Sequence, residues 1–177
     1  MFWLRVFKVW LKVFHPRRFD VSDGLRKVAE EVQTIDDVEA LLQQVRYVEG
    51  VWHEGFNLNW FLPSNWWKLR ISTLWDDPSW TWKVKKGFCR HFAWLACYLL
   101  TFAGVESFIV VGTGQDLMYS HAVCSFPWQG KWAQFSNNAL SFEHPTLEAT
   151  IEIHYPEGLE CGWIYDLEGR LIKTWGK

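Results

Sequence analysis

The chain has no C-x2-C pair, so Cys89, Cys97, Cys124 and Cys161 match no zinc-ligand spacing. It has no H-E-x-x-H either, and its six histidines are scattered. No metal or other cofactor is expected. No uninterrupted apolar run reaches the roughly 20 residues that a helix needs to cross a bilayer. The first apolar stretch is not followed by a small-residue cleavage site, so a signal peptide is not expected. An excess of one charge is also missing. The net charge is −2 and no basic stripe is interleaved with aromatics, which argues against a nucleic-acid partner. No internal repeat or low-complexity tract occurs. Cys89 and Cys97 share one expected helix; a rise of about 1.5 Å per residue sets them about 12 Å apart, too far to bond. Reduced thiols suit a cytoplasmic chain.

What is present is apolar and aromatic. Hydrophobic residues make up 49% of the chain against 21% charged, which marks a globular protein. Its 177 residues suffice for one domain with a real core and are short for two. Fourteen tryptophans exceed what one small core can hold, so some belong at the surface or in a groove. Residues 1–14 carry Arg5, Lys8 and Lys12 at helical spacing among Trp and Phe. They read as an amphipathic helix appended to the single domain 1–177. It either docks on the domain or lies on a membrane or an assembly.

His15-Pro16 breaks that helix. Leu25 to Val32 reads as a short helix. Thr34 is a good N-cap, with Asp36 and Asp37 in the following turn, and Val38, Leu41, Leu42 and Val45 repeat at helical spacing up to Gly50. Residues 51–82 show no clean period and read as aromatic loops and short helical turns that wall a groove. Phe88, Phe92, Leu95, Ala96, Leu99, Leu100 and Ala103 then mark a helix with one buried face, stopped by Gly104. Strands are expected at Phe108–Val111, Ser120–Phe126 and Trp132–Ser136, with turns at 112–116 and 129–131. Ile151–Tyr155 alternates like a strand. Trp163–Asp166 and Leu171–Trp175 flank a turn and suggest a hairpin.

Cys89 falls in the first turn of its helix. Backbone N–H groups there lack intrahelical partners and the helix dipole is positive, both of which favour the nucleophilic thiolate. Lys85 and Lys86 add positive charge upstream, and Gly87 allows a close backbone approach. The run Lys86-Gly87-Phe88-Cys89-Arg90-His91-Phe92-Ala93 leads into an apolar helix closed by Gly104-Val105. A Val-rich strand follows, then Ser120-His121-Ala122-Val123 and Trp132-Ala133-Gln134-Phe135-Ser136. Across residues 85 to 138 this order resembles the transglutaminase-like superfamily, whose core is papain-like. The resemblance implies an α+β fold with the cysteine helix packed on an antiparallel sheet. It also implies a catalytic triad in which Cys89 is the nucleophile and His121 the general base and later acid.

The family's third member is an aspartate, and here position 136 is serine, followed by Asn137 and Asn138. If the hairpin turns on Gln129-Gly130, His121 faces Asn138 and Val123 faces Ser136. Ser136 and Asn138 then share the His121 side of the sheet. A one-residue shift would bring in Asn137 instead. Either Ser136 or Asn138 is the expected substitute, since an amide serves as third member in papain-like proteases. His91 is two residues from Cys89, which turns it about 200° away on a helix, so it is rejected as the base and expected at an exposed or packed helix edge. His15, His53, His144 and His154 are expected to be structural, with His53 watched as an oxyanion-side group. Gly112-Thr113-Gly114 does not open a helix and is no phosphate loop. The expected activity is cysteine-dependent acyl transfer at an amide bond of a peptide or protein. Hydrolysis through a thioester is favoured, as in a cysteine protease or amidase. The alternative is an inactive binding or structural protein on the same fold.

Overall fold

The computed structural model describes residues 21–48, 78–114 and 120–176. The expected N-terminal helix, Gly50, His53 and the aromatic stretch through residue 77 lie outside the described residues.

Among the described residues, two short helices come first. Helix α1 spans Asp23–Glu30 and is N-capped by Ser22, whose hydroxyl accepts from the Leu25 N–H at 3.4 Å. Helix α2, Ile35–Leu42, opens on the expected cap. The Thr34 hydroxyl accepts from the Asp37 N–H at 3.2 Å, and the Asp37 carboxylate accepts from the Thr34 N–H at 2.8 Å, closing a capping box. The helix stops at Leu42, earlier than the sequence period suggests. Val45 is still buried, but in the turn that leads to strand β1, Arg46–Tyr47. That strand pairs in parallel with β2, Lys86–Gly87, after helix α3, Pro78–Val84.

Helix α4, Cys89–Phe102, buries Phe92, Leu95, Ala96, Leu99 and Leu100, the expected stripe, together with Ala93, Trp94 and Cys97. Gly104 follows it at φ 70°, the left-handed conformation in which a helix commonly ends. The sheet has six antiparallel strands in the order β6-β5-β4-β3-β7-β8. They are β3 Phe108–Thr113, β4 Ser120–Trp128, β5 Lys131–Ser136, β6 Ala139–His144, β7 Cys161–Tyr165 and β8 Leu171–Gly176. Fold class is therefore α+β, with helices packed against an antiparallel sheet and α4 against β4.

The β4–β5 hairpin turns on Gln129 and Gly130 at φ 48° and 78°, both left-handed, as a two-residue hairpin loop requires. Cys124 pairs with Phe135 and Trp128 with Lys131, which is the unshifted register. The β7–β8 hairpin also forms where expected.

Two expectations need correction, and one strand was not anticipated. Gly112 and Thr113 belong to β3 and pair with His121 and Ser120, so they are not a turn. Strand β6 had no separate signal. Ile151–Tyr155 is not a strand: helix α5, Ala149–Glu152, occupies its start. Ile151 and Tyr155 are four residues apart, a spacing that fits one helical face as well as one strand face. Ile153, which alternation would bury alongside them, is 62% exposed.

Each face of the sheet has its own core. Ala122, Cys124 and Phe126 of β4 join the large core with α1, α2 and α4. Val123 packs with Val110, Ile164 and Ile151 of α5 on the other face.

Candidate functional site

Cys89 is the first residue of α4, after Phe88 in extended conformation at φ −113°. Phe88 has no oxygen to cap the helix. The back-reaching bond is made by His91, whose Nδ1 accepts from the Phe88 N–H at 3.2 Å. His91 is thus neither exposed nor at an edge: it is 1% exposed, its ring edge-on to Phe88 and close to Trp80. Gly87 makes room for it, since a Cβ there would lie 2.7 Å from the His91 Cβ. The close approach allowed by Gly87 is therefore that of His91. Burial, then the Arg90 charge, pushes the His91 pKa down to about 3, so it stays neutral. Cys89 itself is half-buried, and none of the four cysteines is in a disulfide. Lys85 stacks its ammonium over Trp82 and donates to the Gln44 side-chain Oε1 at 3.4 Å.

His121 is the second residue of β4 and half-buried. Its Nε2 is 2.9 Å from the Ser136 hydroxyl, at the end of β5. The register explains the contact: Ser136 is diagonal to His121 on one face of adjacent strands, within reach of a long side chain. Asn138 lies exposed in the two-residue turn after β5, and Asn137 in that turn has φ 57°. Of the candidate third members, the structure joins Ser136 to the imidazole. Burial first, and His154 second, push the His121 pKa down to about 4.

Strand parity adds a constraint. His121 shares its face with Val123, the α5 face, whereas α4 covers the face of Ala122 and Cys124. Thiol and imidazole therefore start from opposite layers. The group common to both is Tyr155, just after α5. Its hydroxyl donates to the Gly112 carbonyl at 2.5 Å and accepts from the His121 backbone N–H. Burial raises the Tyr155 pKa well above the ordinary phenol value, and the charge of a Cys89 thiolate raises it further. Neighbouring His154 sets its ring against that of His121, with centroids 4.5 Å apart.

Tyr155 and His154 were missed as site residues. The only sequence signal was their position after an alternating run, which read as a strand. His144, expected to be structural, is buried against the Ser141 hydroxyl at 3.1 Å. No cluster of three metal-type ligands occurs among the described residues. Nor, among them, is any helix long and apolar enough to cross a membrane. No protein-family model and no curated protein matches the chain.

Proposed function

We propose that the chain is a transglutaminase-like cysteine enzyme that cleaves an amide bond in a peptide or protein substrate through a thioester. The observation that carries this reading is the His121–Ser136 hydrogen bond at 2.9 Å, beside a sheet end that also feels the Cys89 charge. It leaves Nδ1 as the imidazole nitrogen for proton transfer. His121 takes the Cys89 proton as sulfur attacks the carbonyl carbon. The tetrahedral intermediate collapses as His121 gives that proton to the leaving amine, leaving the acyl thioester. Water, deprotonated by His121, then attacks the thioester, and Cys89 leaves and recovers its proton. Ser136 orients the ring but brings no charge to stabilise the imidazolium.

A second reading keeps the fold for binding without catalysis. It is favoured by the serine at position 136, by a His121 pKa near 4, which makes a weak base at neutral pH, and by the separate layers of thiol and ring.

Alkylation kinetics separate the two. Cys97, Cys124 and Cys161 are buried, so Cys89 is expected to label first in either case. The enzyme reading requires more: Cys89 labels faster than a free model thiol at pH 7, and His121→Ala slows it by at least about tenfold. A His121→Ala rate equal to wild type would sink the enzyme.

A further inference from the structure

Gly112 and Gly114, which form no phosphate loop, make a bed for one aromatic ring. Gly112 lies in β3 and Gly114 just after its end, and the Tyr155 ring reaches both. A Cβ on Gly112 would come within 2.6 Å of Leu159 Cδ1, 2.8 Å of Ile151 Cγ1 and 2.9 Å of Tyr155 Cε2, and one on Gly114 within 3.1 Å of Tyr155 Cδ1. The ring therefore lies across the end of β3 at van der Waals distance from bare backbone. This brings the phenol oxygen to the Gly112–His121 rung, where it donates to one strand and accepts from the other. The rung lies near the end of the β3–β4 pairing, next to Ala122, the first β4 residue in the core shared with α4. A side-chain tie there holds the start of β4, and with it the His121 backbone. His154 holds the other half of the residue by setting its ring edge against the imidazole.

We propose that Tyr155 is a positioning residue for the Cys89–His121 site, fixing His121 through its backbone so that the imidazole keeps its orientation toward both Ser136 and the thiol. This rests on the reading of Cys89 and His121 as nucleophile and base. Tyr155 touches the polypeptide next to the base, not the reacting atoms, so its effect passes through His121.

The test is Tyr155→Phe, which keeps the ring on its glycine bed and removes one hydroxyl. Loss of a hydrogen bond at this rung should speed hydrogen exchange of the His121 amide about fivefold to tenfold, with the β7–β8 amides unchanged. The Cys89 alkylation rate should fall by a similar factor at pH 7, and the midpoint of its pH profile should move up toward that of a free thiol. Gly114→Ala, which keeps the hydroxyl but crowds the ring, should move both readouts the same way if Tyr155→Phe folds poorly. Faster exchange with an unchanged alkylation profile would make the phenol a structural tie only and overturn the proposal, as would no change in either. If His121→Ala also labels like wild type, the underlying reading falls and takes this one with it. If His121→Ala is slow and Tyr155→Phe is not, only the role of Tyr155 is lost.

Discussion

A serine hydroxyl and a carboxylate differ at His121 by one full negative charge. Ser136 is 2.9 Å from Nε2, so any charge placed there acts on the ring at close range. Burial now holds the His121 pKa near 4. Ser136→Asp should raise it, because a neighbouring anion favours the imidazolium. The same change should speed Cys89 alkylation at pH 7 by about tenfold, since the imidazolium formed on proton transfer gains a partner. Ser136→Ala should slow it, and Asn138→Ala, in the exposed turn, should leave it unchanged. NMR titration of the His121 ring alongside alkylation rates checks all three. A His121 titration unmoved by Ser136→Asp would remove Ser136 from the site. Given a turn on Gln129-Gly130, strand parity narrowed the choice to Ser136 and Asn138. It could not choose between them, because a directly opposed residue and a diagonal one share a face, and only side-chain reach separates them.

Helix α4 was legible from its apolar stripe and its closing glycine, since both follow from local geometry. Its opening was only half legible. Cys89 falls where expected, but the residue that completes the helix start is His91, buried among Phe88 and Trp80 over Gly87. Gly87→Ala should therefore destabilise the protein by about 1–3 kcal/mol, because two backbone-borne Cβ atoms would clash at 2.7 Å and neither can swing aside. Thermal unfolding measures this, and an unchanged Tm would show that the helix start yields easily. Helix α5 was misread because Ile151 and Tyr155 satisfy the helical and the strand spacing alike. Long-range packing of Ile151 onto Val110 and Val123 decides between them.

The whole molecule carries neutral histidines under its surface, and this gives it an acid limb. The His91 pKa is lowered to about 3 and that of His121 to about 4, against about 6.5 for the unfolded chain. Between those values the unfolded chain binds more protons, so stability rises with pH through this window. Both groups contribute fully above about pH 6.5, and their contribution falls as acid protonates the unfolded chain first. Stability measured by denaturant unfolding should fall by roughly a few kcal/mol between about pH 7 and pH 4.5. His91→Asn, which keeps an acceptor for the Phe88 N–H, should flatten part of that slope. A stability that stays level down to pH 4.5 would contradict the burial of both rings. By itself the sequence determined the cysteine helix, a hairpin turning near Gln129-Gly130, the C-terminal hairpin and the α+β class, since period, caps and turn residues are read over short stretches of chain. Only the tertiary structure decided what surrounds His121. Ser136, Tyr155 and His154 reach it from other elements, and which face of β4 meets α4 and which meets α5 is set by burying two apolar faces at once.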